Sequence, residues 1–175
     1  MKTSSFENFP WWMVAVCNAQ GLAIYAIGLY VMIRVGIVWA VLYAGYCVWM
    51  ESRLLAGSCR SCYYYGKRCG FGKGRLCSRL LTRKPRHKWS TKRLSWWDIL
   101  PDFLVSLIPL AVGIVLLARA FSWPLLILLV LLVLLASMGA GFVRGQIACK
   151  FCKQRELGCP AEQLFSQGKQ PPAAS

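Results

Sequence analysis

Residues 11–33 form a run of 23 residues without a charged side chain. At about 1.5 Å per residue, a helix of this length exceeds the roughly 30 Å hydrocarbon core of a bilayer. The run therefore predicts a membrane-spanning helix. The composition agrees, because 57% of the 175 residues are hydrophobic and only 15% are charged, whereas soluble domains have about 45–50% apolar and about 25% charged residues.

Three further apolar runs follow the first one. They cover residues 37–50, 103–118 and 125–143. Short turns that contain Arg34 and Gly36, and Arg119 and Pro124, separate the runs within each pair. We therefore expect an all-α integral membrane protein with four transmembrane helices in two tandem hairpins, each followed by a short cytoplasmic cysteine-rich segment. Pro101 belongs near the start of the third helix, and Pro109 lies inside it, where we expect it to kink the helix as a packing bend.

These runs divide the chain into six predicted segments. They are a cytoplasmic N-terminus (1–10), a first transmembrane hairpin (11–50), a basic cysteine-rich cytoplasmic loop (51–95), a second transmembrane hairpin (96–143), a cytoplasmic cysteine-rich segment (144–166) and a disordered tail (167–175).

The basic residues predict the orientation of the hairpins. The chain carries 21 Lys and Arg against six Asp and Glu, and 13 of the 21 lie in residues 53–93. Five more follow the fourth apolar run. Cytoplasmic loops of membrane proteins are enriched in Lys and Arg. We therefore expect a multi-pass protein of the cell inner membrane, with both termini and the central loop in the cytoplasm.

Seven of the nine cysteines form an internal repeat. The central loop contains Cys59, Cys62 and Cys69, and the segment after the fourth run contains Cys149, Cys152 and Cys159. Both triplets have the spacing Cys-x2-Cys-x6-Cys, and each follows a tryptophan pair and a hairpin, with a period of about 85–90 residues. The chain is therefore interpreted as a tandem duplication, whose two triplets would face each other at one membrane surface.

The cysteine spacing predicts metal binding. Disulfides are rare in a reducing cytoplasm, whereas a Cys-x2-Cys turn aims two sulfurs at one ion. Cys77 follows the first triplet and can supply its fourth thiolate, which suits zinc or an iron–sulfur cluster. In the second copy the fourth ligand would be a water, Cys77 or the lone His87. The seven predicted ligands are Cys59, Cys62, Cys69, Cys77, Cys149, Cys152 and Cys159.

A basic stretch before the third helix predicts contact with lipid. It contains Arg83, Lys84, Arg86, Lys88, Lys92 and Arg93. Juxtamembrane clusters of this kind attract anionic headgroups at about 1 kcal/mol per charge. We expect membrane lipids and other protein subunits as partners, rather than nucleic acid.

Three classes of function fit these patterns. The first is a subunit or anchor of a larger membrane assembly that holds zinc or iron–sulfur centres and possesses no acid–base catalytic set of its own. The second is a membrane thiol–disulfide oxidoreductase: the four predicted spans resemble the quinone-linked disulfide-forming enzymes, which carry cysteines in their outward loops, and the outward turns here contain none. The third is a soft-metal transporter or sensor, in which Cys17 and Cys47 extend a metal path through the spans.

Overall fold

The fold is described from a computed structural model, which defines residues 5–85, 95–157, 159 and 160. All regular structure in these ranges is helical, apart from one isolated bridge between Phe6 and Cys152. The helices are α1 (Trp11–Val35), α2 (Ile37–Gly57), α3 (Lys73–Leu80), α4 (Trp96–Arg119), α5 (Trp123–Leu134) and α6 (Lys153–Glu156). Between α5 and α6 the chain forms two π-helical segments, Leu135–Gly139 and Val143–Cys149.

The four long helical segments pack as two hairpins. Only Gly36 separates α1 from α2, and the hydroxyl of Tyr25 donates to Glu51 Oε1 at 2.7 Å, which requires the two helices to be antiparallel. Near the end of α1, Val31 packs against Leu125 at the start of α5. The two short turns therefore lie at one end of the bundle, and the cysteine segments lie at the other.

A tyrosine compensates for the proline inside α4. Pro109 has no N–H, so the carbonyl of Val105 loses the hydrogen bond that an α-helix would give it. The hydroxyl of Tyr43 on α2 donates to this oxygen at 2.8 Å. Gly28 on α1 lies against the same ring, and a Cβ there would clash with the tyrosine hydroxyl. Three helices thus meet at one satisfied polar group in an otherwise apolar cluster.

The fourth apolar run departs from a regular α-helix. α5 ends at Leu134, nine residues before the predicted end, and the helix continues in the π form. The side-chain amide of Gln20 donates to the Leu135 carbonyl at 2.9 Å. Gly139 leaves room for that amide, because an added Cβ would lie 3.0 Å from Gln20 Nε2. A side chain inserted beside the backbone ladder is a usual companion of such a bulge.

Two helices of the described structure are long and apolar enough to cross a membrane, namely Trp11–Val35 and Trp97–Arg119. The prediction of a helical protein with membrane-capable helices is confirmed at this coarser level. α2 is 21 residues long but carries Glu51 and Arg53 in its last third. The apolar helix Trp123–Gly139 is shorter than a span requires.

The third helix begins seven residues before the predicted run. Its first turn is stabilised by Asp98, whose carboxylate accepts the backbone N–H of Ser95 at 3.1 Å. Asp98 also pairs with Arg53 of α2 at 3.7 Å. Pro101 lies in the second turn of this helix. Trp96 is also where the second predicted hairpin (96–143) begins, although the charged Asp98 and Asp102 keep this first part of the helix out of the apolar run.

Candidate metal centre

The functional candidates gather in a small folded unit at one end of the bundle, here called the cysteine cap. It comprises residues 5–10, 58–81, 149–157, 159 and 160. Both copies of the cysteine repeat begin with the same backbone turn: the N–H of Cys62 donates to the Cys59 carbonyl at 3.4 Å, and the N–H of Cys152 donates to the Cys149 carbonyl at 3.2 Å. The repeated spacing therefore corresponds to a repeated local structure.

Two hydrogen bonds join the copies directly. The backbone N–H of Tyr63 donates to Gln154 Oε1 at 2.7 Å, and the backbone N–H of Lys153 donates to the Tyr64 hydroxyl at 3.0 Å. The Gln154 side chain is buried, although glutamine is a polar residue. Since buried polar groups are costly unless paired, these bonds define a specific contact between the copies.

The N-terminal segment closes the cap over both copies. Phe6 donates its N–H to the Phe151 carbonyl at 3.0 Å, and its own carbonyl accepts the hydroxyl of Tyr64 at 2.5 Å. Phe9 and Tyr64 are each only 1% exposed, and their rings meet edge to face with centroids 5.5 Å apart. The two cysteine segments and residues 5–10 therefore share one core.

Two glycines allow the loop between Cys69 and Cys77 to pack closely against α1 and against the backbone of Tyr64. Gly72 has φ +68°, a left-handed conformation that favours glycine, and it lies beside Val14 and Asn18 of α1. The Asn18 side chain donates to the Phe71 carbonyl at 3.3 Å. At Gly74 a Cβ would clash with the Tyr64 carbonyl. α3, which begins here, then carries Cys77 into a fully buried position.

Four thiols of the first copy are neighbours. Burial and the thiols of Cys69, Cys77 and Cys62 raise the pKa of Cys59 to about 12. Burial and the thiol of Cys69 also raise the pKa of Cys77, while the nearby Arg60 opposes this rise. Cys77 Sγ lies 3.7 Å from the carbonyl oxygen of Leu55 at the end of α2.

The thiols of the second copy approach Cys62. Burial and the thiols of Cys69 and Cys159 raise the pKa of Cys62 to about 11. Burial, Cys62 and Cys149 raise the pKa of Cys152 to about 12. At neutral pH these thiols are therefore protonated in the metal-free chain.

The thiols are close without converging on one point. No group of three or more His, Cys, Asp or Glu side chains within residues 5–85, 95–157 and 159–160 is arranged to hold a metal ion. In the same ranges no disulfide joins any of the nine cysteines. Sulfur ligands of a tetrahedral zinc ion lie about 3.8 Å apart, given Zn–S distances of about 2.3 Å. Metal binding would thus require the thiols to move together.

Cations lie beside the thiols of the first copy. Lys73 lowers the pKa of Cys59, against the larger effects that raise it, and forms an ion pair with Glu51 of α2. The same carboxylate accepts the Tyr25 hydroxyl. On the other side of the cap, Lys153 lies 3.3 Å from Glu7 and holds the pKa of that carboxyl below its usual value. A cluster of thiolates carries negative charge, so adjacent cations favour its formation.

The predicted lipid-contacting residues are only partly described. Arg83 is exposed and lies over the Tyr65 ring at 5.8 Å, and Lys84 is exposed, with its backbone N–H donating to the Arg60 carbonyl at 3.0 Å. The remaining four residues of this stretch, Arg86, Lys88, Lys92 and Arg93, lie outside the described ranges, as does His87.

Cys17 and Cys47 lie apart. Cys17 packs with Val143 and Ala148, whereas Cys47 packs with Tyr43 in the cluster between α1, α2 and α4. The structure thus does not bring these two thiols together along a common path.

Sequence reasoning missed several residues that build the cap. Phe6, Phe9 and Gln154 lie in segments that carry few apolar side chains, and their partners are distant in the chain. The pair of phenylalanines in an otherwise polar N-terminus was the one available signal.

No family model, no curated protein and no solved structure matches this chain.

Proposed function

We propose that this chain is a multi-pass membrane protein whose cysteine cap binds zinc or iron–sulfur centres on the cytoplasmic side. In this proposal both hairpins cross the cell inner membrane, both termini are cytoplasmic, and the chain serves as a subunit or anchor of a larger assembly. The observation that carries the proposal is the association of two identically spaced cysteine triplets in one folded unit.

The distribution of aromatic side chains supports the membrane part of the proposal. Exposed tryptophans occur near both ends of the bundle, at Trp11, Trp12 and Trp97 on the cap side and at Trp39 and Trp123 near the turns. From Trp97 to Arg119, α4 rises about 33 Å, which matches a hydrocarbon core of about 30 Å. Exposed aliphatic side chains such as Leu22, Val41 and Ile114 lie between these levels. Tryptophans typically mark the two interfaces of a bilayer.

The donor set supports the metal part. Each copy offers three thiols, and Cys77 adds a seventh to the cap, which suits soft or borderline metals. A bound metal cation would counteract the effects that raise the thiol pKa values, because its charge stabilises the thiolate, the form in which cysteine coordinates metal. Bound metal would supply folding energy to a cap whose core is small.

The same features disfavour thiol–disulfide exchange. The thiolate is the reactive form of cysteine, and burial keeps Cys59, Cys62 and Cys152 protonated. Of the nine cysteines, none lies in the turns at Gly36 or Ala120. An oxidoreductase acting from the outer face would need cysteines at those turns.

Elemental analysis of the full-length protein, purified anaerobically in detergent, tests the proposal. We expect more than one equivalent of zinc, or of iron with matching sulfide, per chain. The matched control replaces Cys17 and Cys47 with serine and should retain the metal, because these residues lie outside the cap. A protein without bound metal that also fails to bind added Zn²⁺ would refute the proposal. A visible absorbance band would identify iron–sulfur, and a colourless zinc protein would indicate a structural role.

A further inference from the structure

The cysteines of the first copy differ in how close they lie to the second copy. Cys62 and Cys69 of the first copy pack, together with Cys152 of the second copy, against the buried core of Phe9, Met13 and Tyr64. Of these two, Cys62 is the thiol that acts on Cys152. Cys62 thus lies at the junction of the copies, within reach of thiols from both.

The backbone fixes Cys62 at this junction. Cys62 immediately precedes Tyr63, whose N–H is bound by the Gln154 side chain at 2.7 Å. Cys152 immediately precedes Lys153, whose N–H is bound by the Tyr64 hydroxyl at 3.0 Å. Both bonds therefore join the residues just after Cys62 to the residues just after Cys152. The two cysteines approach each other from opposite copies. Cys62 also interacts with the thiol of Cys159.

Cys77 lies elsewhere. Its side chain is fully buried, its Sγ contacts the carbonyl oxygen of Leu55, and the thiols near it are Cys59 and Cys69 of its own copy. It therefore serves the first copy and not the second.

We propose that the second metal centre spans the two copies, with Cys62 as a ligand beside Cys149, Cys152 and Cys159. Cys59, Cys69 and Cys77 then form the first centre, which keeps a corner for a further ligand. This assignment rests on the proposed metal-binding function and gives the second triplet the fourth thiolate that its own sequence lacks. Binding of metal to the second triplet would also lock the copies together, because the centre contains residues about 90 positions apart.

Protection from alkylation tests this assignment. The full-length protein in detergent is loaded with Zn²⁺ and treated with iodoacetamide, and the extent of modification is measured for each cysteine by mass spectrometry. Trypsin cleavage at Arg60 puts Cys59 and Cys62 on separate peptides. In the wild-type chain, zinc should slow the modification of both.

Two double variants separate the centres. In Cys149→Ser/Cys152→Ser, zinc protection of Cys62 should fall at least tenfold, while Cys59 and Cys69 keep theirs. In the matched control Cys59→Ser/Cys69→Ser, Cys62 should remain protected. The exposed position of Cys149 makes the single variant Cys149→Ser a milder substitute if the double variant unfolds.

The reverse pattern, in which Cys62 loses protection with Cys59 and Cys69 but not with the second triplet, would overturn the assignment and leave metal binding intact. Absence of zinc protection at every cysteine of the wild-type chain would overturn both proposals.

Discussion

At the scale of single residues, the cap depends on Tyr64. Its hydroxyl donates to Phe6 and accepts from Lys153, so one side chain ties together three segments that are 58 and 89 positions apart. Tyr64 is the middle one of three consecutive tyrosines, and nothing in the sequence distinguishes it from the other two. The role of the middle one could not be predicted, because it is set by distant partners that leave no periodic signal in the chain.

Replacing Tyr64 with phenylalanine should destabilise the cap by about 1–3 kcal/mol, because a carbonyl and an N–H that are both partly buried lose their partner. Denaturant unfolding of the solubilised protein measures this loss. Tyr30→Phe is the matched control, since the Tyr30 hydroxyl forms an exposed hydrogen bond with Arg34 and its removal should cost less than about 0.5 kcal/mol. Equal effects of the two variants would argue against the role given to Tyr64.

Gly74→Ala should also weaken the cap, by roughly 2 kcal/mol or more, because the added methyl group meets backbone oxygens of Tyr64 and Lys67 that cannot rotate away. Gly57→Ala, where an added Cβ meets nothing within 4 Å, should be neutral or slightly stabilising. The midpoint of thermal unfolding, followed by circular dichroism, compares the two.

At the scale of helices, long apolar runs were predicted well and short or irregular elements were not. The predicted first helix differs from α1 by two residues at its end. α3 was missed because its eight residues include three basic side chains, follow a glycine-rich loop and form no apolar run. The π-helical segment Leu135–Gly139 was missed because the partner of its Leu135 carbonyl is Gln20, which lies 115 positions away in the chain.

The contact between α1 and α2 gives a matched pair of substitutions. Gly28→Ala should destabilise the bundle by about 1–3 kcal/mol, because the methyl group displaces the Tyr43 hydroxyl from the Val105 carbonyl. Gly21→Ala lies on the same helix with open space around it and should be neutral or stabilising by up to about 1 kcal/mol. Unfolding in a mixture of detergent and denaturant measures both. A harmless Gly28→Ala would contradict the close packing.

At the scale of the whole molecule, the sequence predicted that the two cysteine segments share one end, because an even number of apolar runs, residues 103–118 and 125–143, separates them. The structure brings the segments together at the end opposite both turns. The bonds between them could not be anticipated, since they involve Gln154 and the N-terminal segment. The number of four membrane-spanning helices stays a prediction. Of the described helices, α1 and α4 are long and apolar enough to cross a membrane, and α2 and α5 are not.

Sidedness is testable in intact cells with a membrane-impermeant maleimide. Cys149 is exposed, so for a cytoplasmic cap it should fail to react in intact cells and should react once the cells are permeabilised and bound metal is removed with a chelator. A chain that carries Ala120→Cys in the opposite turn should react without permeabilisation. Labelling of Cys149 from outside would contradict the proposed orientation.

The pairing of Phe6 with Phe151 has a consequence for biosynthesis. Phe6 cannot reach this partner until the 145 residues that lead to Phe151 have been made and have left the ribosome, which at about 5–20 residues per second takes on the order of ten seconds. During that interval the cysteines of the first copy lack those of the second. Closure of this end of the protein therefore waits for the second hairpin to be synthesised.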